Sequence, residues 1–267
     1  MGADKVNEVT VLVNSCDRYR DLWPVFAELW RKYWPDCPFE TVLMTESETE
    51  TEGVEKAVFG RVLACGRECW SKMIAKALKE IDTPYVMMLC DDYLLADKVD
   101  TARIMKRLEE MKRHQALNLR LIPNPKGGKR FGETDLMEYE KNTAYCVATQ
   151  AGFWDKEFLA ELAGKVKSIW EFERYGSFAV KGERPLLHTA TKEFPFVDAV
   201  HKGYWEKFGK ALVEKEGIKY DFAKRGLPSL SVRLREGLKS AIFNLVPTTP
   251  LVKLQNAFGW GWKEKRR

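Results

Sequence analysis

A short apolar run from Val9 to Val13 is followed at once by residues spaced for one face of a helix, and the chain repeats that alternation along most of its length. After Asp21, the residues Leu22, Val25, Phe26, Leu29, Trp30 and Tyr33 fall on one helical face, which gives a β–α opening. PFETVLMTE reads as a second strand, Gly60 to Ala64 as a short third, and YVMMLC as a buried fourth behind Pro84. Between the last two, Trp70 and a Ser71 N-cap open a helix with Met73, Ile74, Ala77 and Leu78 inward. Thr101 to Arg113 is helical through Ile104, Met105, Leu108 and Met111, LNLRLI alternates as a strand, YCVAT reads as another, and Asp155 caps KEFLAELA. Strands separated by helices pair in parallel, because a crossover of a dozen residues is what joins parallel neighbours. The expected fold class is therefore α/β, a mostly parallel Rossmann-like sheet covered on both faces. Ligands of such sheets bind beyond the C-terminal strand ends. Asn14 to Arg18, Thr45 with Glu46, and Asp91 with Asp92 all fall at those ends.

At 267 residues and 45% hydrophobic content, the chain suits one large domain with a small appendage. MGADKVNE is polar and VTVLVN is too short for a signal or a membrane span, so a cytoplasmic location is expected. Six scattered cysteines fit neither a zinc site nor a disulfide framework. The net charge of +5 hides an asymmetry: ten basic residues stand against two acidic ones from Lys224 to Arg267, leaving residues 1–223 net acidic. We divide the chain into a domain at 1–223 and a basic amphipathic extension at 224–267. The extension interleaves Phe243, Leu245, Phe258, Trp260 and Trp262 with Arg and Lys. That composition suits docking on an anionic membrane surface, on the inner face of the cell membrane, and equally a helical subdomain with a solvated basic face. A nucleic-acid partner is not expected.

NSCDRY after the first strand, WSK opening a helix, CDDY ending a strand and SIWEFERYGS further on resemble GT-A fold glycosyltransferases of bacterial capsule and lipopolysaccharide assembly, over roughly residues 9–215. CDDY departs from the usual Asp-x-Asp in lacking its first aspartate. The resemblance implies an inverting, metal-dependent transfer of a sugar from a nucleotide-sugar donor, a UDP-sugar favoured, to a glycan acceptor carried on a lipid. It implies Asp92 and Asp91 as ligands of Mn²⁺ or Mg²⁺, with His201 a third ligand or a phosphate contact. Such hard cations take one or two carboxylates plus substrate phosphates. The loop Ser15, Cys16, Asp17 and Arg18, together with Glu46, Trp70, Ser71 and Lys202, falls on the donor. Turn capping by the aspartates, a surface charge at Arg18, a buried tryptophan at Trp70 and a packing histidine at His201 are the ordinary alternatives.

Glu171 and Glu173 follow Ser168, an expected helix N-cap, and point about 200° apart on a helix. The resemblance makes Glu173 the catalytic base and Glu171 its reserve; ordinary helix N-terminal acids are the alternative. NPKGGKRFGE lacks the P-loop pattern and suits an acceptor-side loop. Trp154, Trp170, Tyr175 and Trp205 offer either sugar platforms or core. Two competing functions are a metal-dependent nucleotidyltransferase, against which the absence of glycine from NSCDRYRDL counts, and a non-catalytic membrane-docking scaffold.

Overall fold

The structure is a computed structural model and describes residues 8–47, 58–226, 249, 250 and 253. Strands β1 (Val9–Asn14), β2 (Glu40–Thr45), β3 (Arg61–Ala64) and β4 (Tyr85–Cys90) alternate with helices α1 (Trp23–Tyr33) and α2 (Trp70–Lys79). Then follow β5 (Tyr93–Leu95), α3 (Thr101–Arg113), β6 (Asn118–Arg120), β7 (Lys129–Arg130), β8 (Leu136–Glu138) and β9 (Gly152–Asp155). Helices α4 (Lys156–Ala163) and α5 (Ile169–Ala179), strands β10 (Leu186–Thr189), β11 (Phe196–Asp198), β12 (Val200–His201) and β13 (Tyr204–Trp205), and α6 (Lys207–Lys215) complete the order. Nine strands form one sheet in the order β3-β2-β1-β4-β9-β6-β10-β8-β7. Within it β9 and β8 run against the rest, so the expected mostly parallel α/β sheet is present.

Strand periodicity divides the core. Val9, Val11, Val13, Met87 and Leu89 face α1 and α3, packing with Trp23, Phe26, Trp30, Ile104 and Leu108. Their alternates Leu12, Val86 and Met88 face α2, α4 and α5, packing with Ile74, Leu78, Leu159 and Phe172. Successive side chains of a strand point to opposite faces, so continuous apolar runs are what a sheet covered on both sides requires. Each fully buried Leu, Val or Phe contributes about 1.5–3 kcal/mol. Trp154 and Trp205 belong to this core, both at 0% exposure, and are not sugar platforms.

Caps fix the helix starts. Asp155 accepts from the Phe158 N–H at 2.9 Å, as expected, and Ser168 accepts from the Glu171 N–H at 3.3 Å. The expected Ser71 cap is not one: α2 begins two residues earlier, at Trp70 behind Cys69, and Ser71 lies buried in its first turn. The expected strand at YCVAT is also absent, and the strand lies instead at β9. The Ser177 hydroxyl contacts both the N–H and the C=O of Val147, and Tyr145 takes φ +62°. The apolar residues of that segment therefore tuck under α5 rather than joining the sheet.

Arg107 on α3 is 1% exposed and pairs with Glu193 (2.6 Å), Asp135 (2.7 Å) and Glu110 (2.6 Å). This network holds the segment that leads into β11, whose Glu193 N–H also donates to the Leu121 carbonyl. Removing one partner of a buried ionic network strands the others. Arg107→Ala is expected to destabilise the fold by about 3–5 kcal/mol in urea denaturation at neutral pH. Hydrogen bonds from Arg107 hold Asp135 below the usual carboxylate range. Burial pushes Glu193 the other way, but Arg107 and Arg103 more than offset it. Depressed carboxylates contribute stability above their ordinary values, so the gap between wild type and variant should narrow as pH falls below about 4.

Candidate functional site

The parallel register sets Asn14 beside both Met44 and Cys90, so β1, β2 and β4 end level. The chain leaving β1 is fastened on both sides: Asn14 Nδ2 donates to the Leu89 carbonyl at 3.0 Å, the Asp91 N–H to the Asn14 carbonyl at 3.2 Å, and the Ser15 N–H to the Met44 carbonyl at 3.0 Å. Ser15 Oγ donates to the Asp91 carboxylate and accepts from Trp23 Nε1 at 2.7 Å. Asp17 accepts from Thr45 Oγ1 (2.9 Å), from Ser47 Oγ (2.5 Å) and from the Ser47 N–H (3.1 Å). Those bonds outweigh desolvation and hold its carboxyl below the usual range. Glu46 Oε2 accepts from the Asp17 N–H at 3.2 Å. Ser15, Cys16, Asp17 and Glu46 are thus brought together by two strand ends. Burial, reinforced by Asp91 and Glu46, pushes the Cys16 thiol up to about 11, so it stays a neutral thiol rather than a nucleophile.

The adjacent aspartates diverge. Asp91 is 4% exposed and turned onto Ser15, whereas Asp92 is half-buried, with its carbonyl accepting from the Ala199 N–H at 2.9 Å. That bond continues a two-stranded ribbon in which Asp198 of β11 stands opposite Tyr93 of β5. Asp198 is a site residue the sequence reading missed. Burial raises Asp91 to about 7 against the pull of Ser15 and Trp23. Burial, then Asp91 and Asp198, raise Asp92 well above the carboxylate range. Asp198 lies at the cleft surface and is pushed up to about 6 by burial, Glu206 and Glu173, with His201 and Lys192 pulling the other way.

The two glutamates of α5 have different surroundings. Glu171 Oε2 accepts from the Lys167 N–H at 2.8 Å while Ser168 receives the Glu171 N–H, so Glu171 is engaged in closing the helix N-terminus. Glu173 Oε1 accepts from both the N–H (2.9 Å) and Oγ1 (2.8 Å) of Thr149, leaving Oε2 without a described partner. Thr149 was not singled out from the sequence because its role depends on the turned 145–149 segment. Glu173 is close enough to Asp198, Cys90, Tyr93 and Tyr145 to raise their pKa values, which puts it on the same cleft. Trp170, 52% exposed, and Tyr175 present open faces of the same helix.

Trp70 and Ser71 make their contacts elsewhere. Trp70 packs edge-on against Phe172, and the Ser71 N–H meets the Lys167 carbonyl at 3.4 Å. Arg18 is exposed, and His201 and Lys202 sit in the β12–β13 hairpin. Among the described residues no cluster of three or more His, Cys, Asp or Glu side chains has metal-holding geometry, so Asp91, Asp92 and His201 do not converge as one ligand set. The donor chemistry nevertheless fits a hard divalent cation. Burial raises Asp91, Asp92 and Asp198, and at Asp92 the charges of Asp91 and Asp198 add to it, a strain that a cation held by one or two carboxylates plus phosphate oxygens relieves. Phe243, Leu245, Phe258, Trp260 and Trp262 of the basic extension lie outside the described residues; within it, Thr249 Oγ1 accepts from the Ala144 N–H at 3.0 Å. No helix among the described residues is long and apolar enough to cross a membrane.

A carboxyl raised in the folded state contributes stability that is complete below its ordinary value and lost as pH rises through the raised one. In EDTA, the Tm is therefore expected to fall as pH rises through the about 6 of Asp198 and the about 7 of Asp91. Asp92→Asn, which removes one repelling charge, should flatten that fall. Identical pH profiles for wild type and variant would show that the carboxylates do not interact.

No family model and no curated protein matches the chain. Among solved structures it is similar to residues 1–349 of TarS from S. aureus, at 11% identity and a TM-score of 0.43, over 68% of this chain and 60% of that one. A cytidylyltransferase from Leptospira borgpetersenii is similar at 12% identity and a TM-score of 0.42, over 84% and 98%. The mannosyltransferase PcManGT from Pyrobaculum calidifontis, in complex with GDP-Man and Mn²⁺, is similar at 11% identity and a TM-score of 0.48, over 97% and 88%. The chain spans 60% of the TarS segment it matches.

Proposed function

We propose that this chain is an inverting glycosyltransferase that moves a sugar from a nucleoside diphosphate to a hydroxyl of a glycan acceptor. One observation carries the reading. Carboxylates from three separate segments gather beside the level C-terminal ends of β1, β2 and β4: Asp91 and Asp198 act on Asp92, and Glu173 acts on Asp198. Breaking the anomeric C–O bond places negative charge on the departing diphosphate, and a divalent cation, when bound, supplies the compensating charge. Asp92 would hold that cation with Asp198 beside it, while Asp91 fixes Ser15 and so the course of the donor loop. Asp17 and Glu46, locked to each other and to Ser47, orient the ribose or base from the end of β2.

The acceptor hydroxyl must lose its proton as its oxygen attacks the anomeric carbon opposite the leaving group. Glu173 Oε2 is the group we assign to take it. Thr149 grips Oε1 with two hydrogen bonds and so aims the second oxygen, which is the positional requirement that precedes any question of pKa. The exposed faces of Trp170 and Tyr175 on the same helix suit the apolar side of a pyranose ring. Docking of the basic extension on an anionic membrane, which would bring the site to a lipid-linked acceptor, remains part of this proposal on composition alone.

Uridine diphosphate with Mn²⁺ should raise the Tm of wild type, by the equivalent of about 2.7 kcal/mol at 100 times Kd, and Asp92→Asn should lose that shift. Glu173→Gln should bind the same nucleotide as wild type yet lose on the order of a hundredfold or more in transfer rate, within the range for a general base. Release of pyrophosphate-exchange activity from a nucleoside triphosphate, with no sugar transfer, would replace this reading by the nucleotidyltransferase one. Normal turnover of Glu173→Gln would take the base away from α5.

A further inference from the structure

Beside these carboxylates lies a cavity of about 530 Å³, between the 3₁₀ turn Asp17–Leu22, the β12–β13 hairpin turn and the segment at Lys224 and Arg225. Its wall contains Arg18, Arg20, Lys202, Lys224 and Arg225, and shares Asp17 with the donor loop, but holds none of Asp91, Asp92, Asp198 or Glu173. Tyr19 adjoins both this wall and the aspartates: the Arg225 guanidinium stacks on its ring at 4.2 Å, its hydroxyl is pushed up to about 12 by burial and by Asp92 and Asp91, and Arg225 in turn pulls Asp91 and Asp92 down.

The acids in this wall are already engaged. Asp17 is held by Thr45 and Ser47. Asp21 takes a two-pronged pair from Arg225, at 2.6 and 2.8 Å, and a hydrogen bond from the Tyr220 hydroxyl. Asp21 is therefore taken, and Asp17 is bound to Thr45 and Ser47 with Arg20 acting on it through charge alone; Arg18, Arg20 and Lys224 have no ion pair among the described residues. Arg225, with its side chain only 6% exposed, is fixed by Asp21, by Tyr19 and by the Arg18 carbonyl at 3.0 Å; its Nη1 has no described partner. The hairpin adds a further mark. Lys202 and Gly203 take φ +53° and +85°, a turn in which a glycine or asparagine is the usual first residue. Rigid guanidinium forks, added ammonium groups and the Tyr204 hydroxyl make up the donor set that recognises phosphate oxygens.

We infer that this basic cavity is a phosphate seat separate from the donor's diphosphate, and that it receives a phosphate group carried by the acceptor. The inference rests on the glycosyl-transfer reading for the acceptor, while the phosphate seat itself stands on the cavity. A phosphate there needs no divalent cation, because the wall supplies the charge. The donor diphosphate, by contrast, belongs with the cation at Asp92. The acceptor is accordingly a glycan bearing a phosphodiester or diphosphate, with its reacting hydroxyl toward Glu173.

The test uses the full chain and two probes, inorganic pyrophosphate in EDTA and uridine diphosphate with Mn²⁺. Wild type should bind pyrophosphate without metal, with an affinity that falls as salt rises. Arg20→Ser combined with Lys224→Ser, both at exposed positions, should weaken pyrophosphate binding at least tenfold and leave the uridine diphosphate shift intact. In transfer assays the same variant should raise KM for a phosphate-bearing acceptor without changing kcat. Loss of both probes in the variant, or pyrophosphate binding only with Mn²⁺, would make the cavity the donor's own diphosphate seat and overturn the inference. So would the absence of pyrophosphate binding. Binding to phosphatidylglycerol vesicles that depends on Arg20 and Lys224, with no binding of free pyrophosphate, would assign the cavity to a lipid surface and overturn it likewise. If uridine diphosphate with Mn²⁺ fails to bind wild type while pyrophosphate binds, the donor reading falls and the phosphate seat stands.

Discussion

The register of β1 between β2 and β4 is the constraint on which the rest of the site depends. Because Asn14 is level with both Met44 and Cys90, the segments leaving three strands emerge at one edge, where their side chains can meet. Shifting one strand by a single residue would exchange its two faces, sending Leu12 toward α1 and Val11 and Val13 toward α2. The core therefore enforces the register, and the register enforces the site. Asn14 adds a local lock, since its buried amide reaches the Leu89 carbonyl and its own carbonyl receives the N–H of Asp91.

A second wall is built from residues far along the chain and held by a different force. The β11 ribbon is too short to secure itself, with three residues paired to three of β5. Its approach is anchored by Glu193 in the buried network around Arg107, and its exit is packed by Trp205, which stacks edge-on with Tyr220 and Phe222. Apolar burial thus orders the first wall, while an ion-paired arginine and an aromatic cluster order the second. The carboxylates face one another across that join, where repulsion is tolerated because both walls are independently fixed.

Most of the architecture was legible because long periodic segments carry their own evidence. The continuous apolar strands β1, β2 and β4, the helical spacing of α1 and α3, and the caps at Asp155 and Ser168 follow from local sequence. What was not legible depends on tertiary context. YCVAT has strand composition, but Ser177 on α5 claims the backbone of Val147, and the strand forms later at Gly152–Asp155. Asp198 lies in a three-residue strand that no periodicity can flag, although the alternation of Phe194, Phe196 and Asp198 is its one local trace. Trp154 and Trp205 could not be told from sugar-facing tryptophans by composition, whereas Trp170 stands out only once α5 is placed.

The paired aspartates of CDDY show why adjacency in sequence does not mean a shared role. Successive residues at a strand end point to opposite sides, so a single backbone course cannot aim both carboxylates at one cation unless it turns between them. Here Asp91 points back to Ser15 and the Trp23 indole, with 4% exposure, and Asp92 points toward Asp198. One aspartate holds the loop that leaves β1; the other faces Asp198. A pair of neighbouring acids thereby takes two courses, one fastening the chain that leaves β1 and the other facing a carboxylate from a strand more than a hundred residues away.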